Sequence, residues 1–414
     1  MKELYGNAIV GQSGGPTTAI NATLTGVVKG AISSKYIGTI YGMRNGIEGL
    51  LDRRIINLNE ALNDSEKLTM LERTPAAALG SCRMKLPDPR SASDTDIVVF
   101  EKIFRIFAEN DIRYFFYIGG NDSMDTVAKI SAFAKRIGYD IRVMGIPKTI
   151  DNDLIETDHT PGYGSAAKYV ATTMQEIIRD CAVYTTKAVT IVEIMGRDAG
   201  WLTAASAVGS IINGEAPDLV YLPERVFDMN VFYESVENAF KKHPNLVIAV
   251  SEGIRFADGR YVGESAQSGS TDVFGHKYLS GTARALEMAV KLRFGCKVRA
   301  VELNLPQRCA GHLFSKTDIM ESVAIGKEAV RAAAEQGISG DMMIFERVSD
   351  APYCAAISHR PVAQIANQVK HVPDEYINER GDFVTEECCK YILPLIEGEA
   401  TPTYRKGIPQ YLVL

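Results

Sequence analysis

The residues of this chain best suited to chemistry crowd into one stretch, residues 112–153, which ends in Pro147-Lys148-Thr149-Ile150-Asp151-Asn152-Asp153. Two short apolar runs, 112–118 and 141–146, are rich in β-branched and aromatic side chains and give way at once to turn residues. That pattern predicts buried strands that run into loops. The first opens into Gly119-Gly120-Asn121-Asp122-Ser123 and then a helical pattern over 124–137; the second opens into the Pro147 to Asp153 segment. In an open α/β sheet, ligands sit beyond the carboxyl ends of the strands. Two glycines, an amide, three aspartates and a lysine should therefore meet at one sheet edge. Glycines let backbone approach a phosphate, and a helix start offers N–H groups to an anion. Acidic residues beside a phosphate serve as metal anchors, as proton acceptors, or to exclude further negative charge.

Other segments repeat the arrangement. A short strand at 7–10 runs into Gly11-Gln12-Ser13-Gly14-Gly15-Pro16 and a helix with Ile20, Leu24, Val27 and Val28 on one face. No Gly-Lys-Ser/Thr closes that loop, so it is not a Walker A motif. A strand at 36–41 leads into a glycine-punctuated loop over 42–50, and an irregular region over 73–90 sets Arg83 and Lys85 after a flexible turn. A helix follows with Tyr163, Ala167, Val170, Met174, Ile177 and Ile178 at 3–4 spacing; His159, just before it, reads as structural. The strand at 188–194 runs into Met195-Gly196-Arg197-Asp198. Further strands are expected at 219–222, at 246–250 running into Glu252, and at 298–303 running into Leu305-Pro306-Gln307-Arg308. A long helix over 315–336, a last strand at 342–345 and a tail with a helix near 384–396 complete the chain. The polar, glycine-rich loop 256–275 reads as a lid or an insertion. The β-loop-α order predicts a mostly parallel sheet with helices on both faces.

Length and composition set the frame. A chain of 414 residues, 46% hydrophobic and 23% charged, predicts a soluble globular protein of two domains. A net charge of −6 disfavours a nucleic-acid surface. No apolar run is long enough to span a bilayer, and the first residues lack the apolar core of a signal peptide. The seven cysteines, without a CxxC pair, predict reduced thiols in a cytoplasmic protein.

The glycine loops and the arginines at 83, 197, 299 and 308 point to ligands that carry phosphate. Phosphoryl transfer needs positioning, charge neutralisation and one base for the attacking hydroxyl. Asp151 is the candidate base, Asp153 a water-mediated metal contact and Asn121 a weaker, neutral one. Lys148 is placed to neutralise the transferring group as a point charge. Each motif alone has a plainer reading: a tight β–α connection, a solvated loop arginine, an Asx turn or helix cap at Asp-Asn-Asp.

Together, Gly14-Gly15-Pro16, Gly119 to Ser123, Pro147 to Asp153 and Met195-Gly196-Arg197 resemble the phosphofructokinase family, in order over residues 5–312. The resemblance implies the roles that follow. Asp151 takes the proton from the 1-hydroxyl of fructose 6-phosphate. Thr149 with Ile150, and Met195, Gly196 and Arg197, bind the sugar phosphate, with Glu252 on its hydroxyls. Arg299 and Arg308 hold the 6-phosphate, one of them across a subunit interface. Gly14, Gly15 and Arg83 contact the donor, and Asn121 stands where the family places its magnesium ligand. The chain departs from the pattern at Asn121, where aspartate is commoner, and at Ala188, where an arginine is expected and neighbouring Lys187 stands in.

Members that use ATP carry glycine at the positions of Asp122 and Lys148; members that use pyrophosphate carry aspartate and lysine, as here. A carboxylate at Asp122 occupies and repels the place of an α-phosphate, and Lys148 shares the donor pocket with it. The resemblance thus implies reversible transfer from pyrophosphate to fructose 6-phosphate, with Mg2+, in a cytoplasmic homo-oligomer (dimer or tetramer) that binds neither nucleic acid nor membrane. The expected fold class is α/β, two Rossmann-like three-layer αβα domains with mostly parallel sheets. Residues 1–156, joined by part of 312–414, would bind the donor, and 157–311 the sugar phosphate. Two other readings stay open: an ATP-dependent 6-phosphofructokinase, and a catalytically silent regulatory subunit that binds sugar phosphate.

Overall fold

The computed structural model describes residues 3–90, 94–264, 281–365 and 368–414. Residues 1 and 2 of the N-terminal stretch, and the expected polar loop from 265 onward, lie outside the described residues. In chain order the strands are β1 (Gly6–Gln12), β2 (Ile37–Met43), β3 (Ile55–Asn57), β4 (Ile112–Gly119), β5 (Arg142–Pro147), β6 (Ala188–Ile194), β7 (Leu219–Tyr221), β8 (Asn245–Ser251), β9 (Lys297–Glu302), β10 (Asp341–Asp350) and β11 (Tyr353–Pro361). They form a seven-stranded sheet of order β11-β10-β5-β4-β1-β2-β3 and a four-stranded sheet of order β7-β8-β6-β9. Pairing within these two sheets is parallel except at the two edges of the larger one, β2 with β3 and β10 with β11; a short antiparallel pair, Tyr404–Arg405 with Ile408–Pro409, stands apart. The fold is therefore α/β, with mostly parallel sheets layered between helices.

Central strands of a parallel sheet are covered on both faces and read as unbroken apolar runs. β4 does so. Tyr114, Phe116 and Ile118 enter one core with Val10, Ile20 and Ile325. Phe115 and Tyr117 point to the other face, among Phe100, Phe107 and Val127. Truncating a fully buried ring such as Phe116 to alanine costs about 3–5 kcal/mol.

The topology fixes where ligands go. From β1 the helix Ile20–Ser33 carries the chain to β2 on one side; from β4 the helix Asn121–Ile137 carries it to β5 on the other. The strand order thus reverses between β1 and β4, and a crevice opens at their carboxyl ends. Register Gln12↔Ile118 brings the two glycine loops side by side there.

The tail is divided. β10 and β11 complete the first sheet, whereas Val372, Ile377, Val384, Cys388, Ile392 and Leu395 pack with Tyr163, Val170, Val192 and Trp201 in the core of the second. The strand expected at 342–345 is longer, and β11 was not expected at all: its half-exposed edge position and its Ser-His-Arg ending dilute the apolar alternation. His159 is buried between Asp158 and Glu321, both at 2.8 Å, and stacks on Phe345 at 4.5 Å. Its role is structural. All seven cysteines are free thiols.

Candidate active site

The loop after β1 is held from two sides. Ser13 N–H donates to the Ile118 carbonyl (3.0 Å) and Gly14 N–H to the Cys82 carbonyl (3.2 Å), while the Ser81 hydroxyl donates to the Gly14 carbonyl. Gly14 has φ +79°, and a Cβ there would lie 3.3 Å from Lys148 Nζ. The positive φ favours glycine there, and a side chain would crowd the Lys148 ammonium. A Cβ on Gly15 would lie 3.2 Å from the Arg308 guanidinium. Lys148 N–H donates to the Gly119 carbonyl (2.9 Å), and its ammonium donates to the Gly15 carbonyl (2.7 Å). Two cationic heads thus reach one glycine loop. Arg83 lies beside them, lining an open cleft of ≈ 670 Å³ with Gly14, Gly15, Glu48 and Met84.

Asn121 and Asp122 begin the helix Asn121–Ile137, so a carboxylate sits in its first turn and Lys135 and Arg136 in its last, as the helix dipole favours. Asp122 and Lys148, expected to share the donor pocket, each have a nearest partner of their own. The Asp122 carboxylate pairs with Lys85 at 3.1 Å. The charges acting most strongly on Lys148 are Asp151, Asp153, Arg308 and Arg83. The helix start aims the Asp122 side chain at the 79–90 loop, whereas Lys148 lies beneath the β1 loop.

The Thr149 to Asp153 segment is fixed by its middle. Thr149 Oγ1 accepts from Asp151 N–H (3.1 Å), and the Thr149 carbonyl accepts from the Thr160 hydroxyl (2.9 Å). Asn152 is fully buried at φ +53°. Its Nδ2 donates to the Tyr391 hydroxyl (3.1 Å) and its Oδ1 accepts from Lys370 Nζ (3.2 Å). With Asn152 anchored inward, Asp151 and Asp153 stay partly exposed on either side of it. Burial, with Asp153 adding, pushes the Asp151 carboxyl up to about 7 against the pull of Lys148 and Arg197. Burial pushes Lys148 down to about 8, opposed by Asp151 and Asp153. A carboxylate near neutrality beside a shielded ammonium suits proton acceptance next to a phosphoryl group. Ile150 packs into the second core, which leaves its backbone to face a ligand.

Across the crevice, β6 ends in the Met195 to Arg197 loop. Met195 N–H donates to Gln307 Oε1 (3.1 Å) and Gly196 N–H to Glu252 Oε1 (3.3 Å). Gly196 has φ +138°, and a Cβ there would sit 2.5 Å from the Ala199 carbonyl oxygen. Burial, with Asp151 adding, pushes Glu252 up to about 8 while Arg197 opposes it. Arg197 thus acts on both Asp151 and Glu252, and its Nε is buried without a hydrogen-bond partner among the described residues.

Two expected residues lie elsewhere in the chain. Lys187 precedes the amino end of β6, over the Phe240 ring at 4.0 Å; the family resemblance, not the strand pattern, suggested it as a stand-in for arginine. Arg299 is level with Thr190 in β9, exposed, 3.7 Å from Asp180. Four residues separate that level from the end of β6, about 13 Å. Neither reaches the site of its own chain. The sequence reading also missed residues that hold the site: Gln307, Glu224, Tyr391 and Lys370. Gln307 carried a signal, being the one polar residue between Pro306 and Arg308 in a loop already singled out; the others carried none.

Among the described residues no group of three His, Cys, Asp or Glu side chains is set to hold a metal. Asn121 Oδ1, however, is buried without a partner while its Nδ2 donates to the Gln368 carbonyl (2.9 Å). No helix of the described residues is long and apolar enough to cross a membrane.

Glycine loops gripped by cationic heads, a carboxylate poised near neutrality and an Arg–Glu pair opposite, all at the carboxyl ends of parallel sheets, define a phosphoryl-transfer enzyme of the α/β class. The chain belongs to the phosphofructokinase family, whose model matches residues 7–304. It is 40% identical to the pyrophosphate–fructose 6-phosphate 1-phosphotransferase of Halomonas elongata, over 98% of this chain and 95% of that one. It is equally similar, at 40% over 99% and 96%, to the enzyme of that name from Methylococcus capsulatus. A crystal structure of the pyrophosphate-dependent phosphofructokinase from Nitrosospira multiformis matches with TM-score 0.88 at 37% identity, covering 99% of this chain and 96% of that one.

Proposed function

We propose that this enzyme transfers a phosphoryl group reversibly from pyrophosphate to the 1-hydroxyl of fructose 6-phosphate. The observation that carries the reading is the shielded Lys148 ammonium, held on Gly15 at 2.7 Å between the glycine loop and Asp151. Asp151 accepts the hydroxyl proton; Lys148, with Arg83 and Arg308 near it, balances the negative charge of the donor phosphates. Thr149, Arg197 and Glu252 orient the sugar phosphate. The Asp122–Lys85 pair stands at the helix start and supports a donor with two phosphates and no nucleoside. The names of the 40%-identical relatives support the same donor.

Mg2+ fits the donor set. It is commonly held by one or two protein oxygens together with substrate phosphates. Asn121 Oδ1 and Asp153 would supply the protein's share, and the ion would neutralise the phosphate oxygens. We place the donor on residues 1–156 with part of 312–414, and the sugar phosphate on 157–311. A homo-oligomer is proposed because Arg299 is exposed away from the site of its own chain, 3.7 Å from Asp180, and because large apolar side chains such as Leu292 (85%) stand exposed on the same chain. Seven free thiols support a cytoplasmic setting.

A coupled assay run in parallel with pyrophosphate and ATP tests the donor. Turnover with pyrophosphate is expected; turnover with ATP alone overturns the reading.

A further inference from the structure

Residues 368–372 cross the candidate site and touch both of its halves. On the donor side, the Gln368 carbonyl accepts from Asn121 Nδ2 (2.9 Å) and Lys370 N–H donates to the Asp153 carbonyl (2.8 Å). On the acceptor side, the Lys370 carbonyl accepts from the Trp201 indole N–H (3.0 Å), and His371 Nδ1 lies 2.8 Å from the Asp198 carbonyl, one residue past Arg197. Val372 N–H donates to Glu224 Oε1 (2.9 Å), which also accepts from Gly200 N–H (2.8 Å). Five consecutive residues thus link the Asp153 loop to the Arg197 loop.

Lys370 anchors the crossing. Its ammonium donates to Asn152 Oδ1 (3.2 Å), the Thr157 carbonyl (3.1 Å) and the Asp158 carbonyl (2.6 Å). Three N–H groups meet three acceptors. The ammonium also stands 5.2 Å from the centre of the Trp201 ring. Asn152 needs such support. It is a non-glycine residue at φ +53° with a carboxylate on each side of it in the chain.

We propose that residues 368–372 are a positioning strap for the phosphoryl transfer, in which Lys370, by gripping Asn152, fixes the Asp151 and Asp153 carboxylates relative to Arg197. The inference rests on the phosphotransferase reading above. Catalytic groups must be held within about 0.5 Å of the productive geometry, and a displacement of roughly 1 Å costs on the order of a hundredfold in rate. Lys370 is a positioning residue: it acts through Asn152 and need not touch substrate.

The test compares the full-length wild type with Lys370→Met and His371→Ala. Lys370→Met keeps the aliphatic stem and removes all three donations. Its kcat per folded molecule should fall roughly 10- to 100-fold, while KM for fructose 6-phosphate moves less than about threefold. Fluorescence of Trp201, the single tryptophan, should shift, because the ammonium 5.2 Å from its ring centre is removed. His371 is exposed, so His371→Ala should keep the wild-type melting temperature and lose roughly threefold to tenfold in kcat, the scale of one hydrogen bond. Wild-type kcat in both variants, or a loss confined to KM, overturns the proposal. Should Lys370→Met fail to fold, His371→Ala decides by the same criteria. A wild type inactive with pyrophosphate sinks the donor reading instead, and the variants are then compared with the donor that supports turnover.

Discussion

The Asp122 carboxylate, at the start of the helix Asn121–Ile137, lies 3.1 Å from the ammonium of Lys85, two residues along the chain from Arg83. Both side chains are about half exposed (52% for Lys85 and 40% for Asp122), so the pair contributes ~0–1 kcal/mol to stability. Its importance is in where it puts charge. Lys148, for its part, donates to the Gly15 carbonyl and feels Asp151 most strongly among the neighbouring charges.

A double-mutant cycle distinguishes these arrangements. Asp122→Gly and Lys85→Met remove the same pair, so their effects on KM for pyrophosphate should overlap rather than add. Asp122→Gly and Lys148→Met should add to within about 0.5 kcal/mol, as independent sites do. Strong coupling between Asp122 and Lys148 would instead make them one unit on the donor, as the resemblance implied. Lys148→Met alone should cost roughly 10²–10³ in kcat, the usual scale for a preorganised charge on a transition state.

Removing the base separates chemistry from binding. Asp151→Asn keeps the shape of the side chain, and Thr149 Oγ1 still accepts from its backbone N–H. The turnover rate should fall by about 10²–10⁴, with fructose 6-phosphate still bound, as isothermal calorimetry would register. Equal turnover would remove Asp151 from its assigned role.

The same two groups predict a bell-shaped pH profile. Asp151, raised to about 7, must be ionised to accept a proton, so kcat/KM should fall as pH drops below neutrality. Lys148, lowered to about 8, must stay charged, so kcat/KM should fall again as pH rises past that value. Steady-state rates from pH 5.5 to 9.5 check both limbs, since kcat/KM reports ionisations of the free enzyme. In Lys148→Met the alkaline fall should be lost or displaced.

How much of this was legible depends on how far a residue acts from its own place in the chain. β6 was read to its exact ends, Ala188–Ile194, because a β-branched run is bounded there by a charged residue and by Met-Gly-Arg. Most site loops were legible for the same reason, each directly following a strand; the loop that carries Arg83 follows the helix Ser65–Glu72 instead and showed itself by its turn residues. The Lys85 partner of Asp122 was not foreseen, since adjacent loops do not reveal which way a first-turn side chain leans. Lys370 was invisible. It works 218 residues away from Asn152 and largely through the carbonyls of Thr157 and Asp158, which leave no mark on residue type. Tertiary hydrogen bonds to backbone are the part of a site that composition and periodicity cannot encode.

Glu252 supplies a stability test with a definite sign. Its folded-state pKa is raised to about 8 by burial, with Asp151 adding, whereas in the unfolded chain it titrates at about 4.3. The folded state therefore holds this proton more tightly. The associated stability is fully present below the unfolded pKa, is lost as pH rises through the folded one, and changes no further above it. Glu252→Gln keeps an oxygen able to accept from Gly196 N–H and removes the titration. Its melting temperature relative to wild type should climb between pH 5 and pH 8 and then level off. Differential scanning calorimetry at half-unit steps measures that difference; Lys148 and Lys370, both pushed down by burial, are carried by both proteins and largely cancel, whereas Asp151, which acts on Glu252, cancels only in part. A flat difference would mean that Glu252 is solvated in solution, and with it the Gly196 to Arg197 loop that it supports.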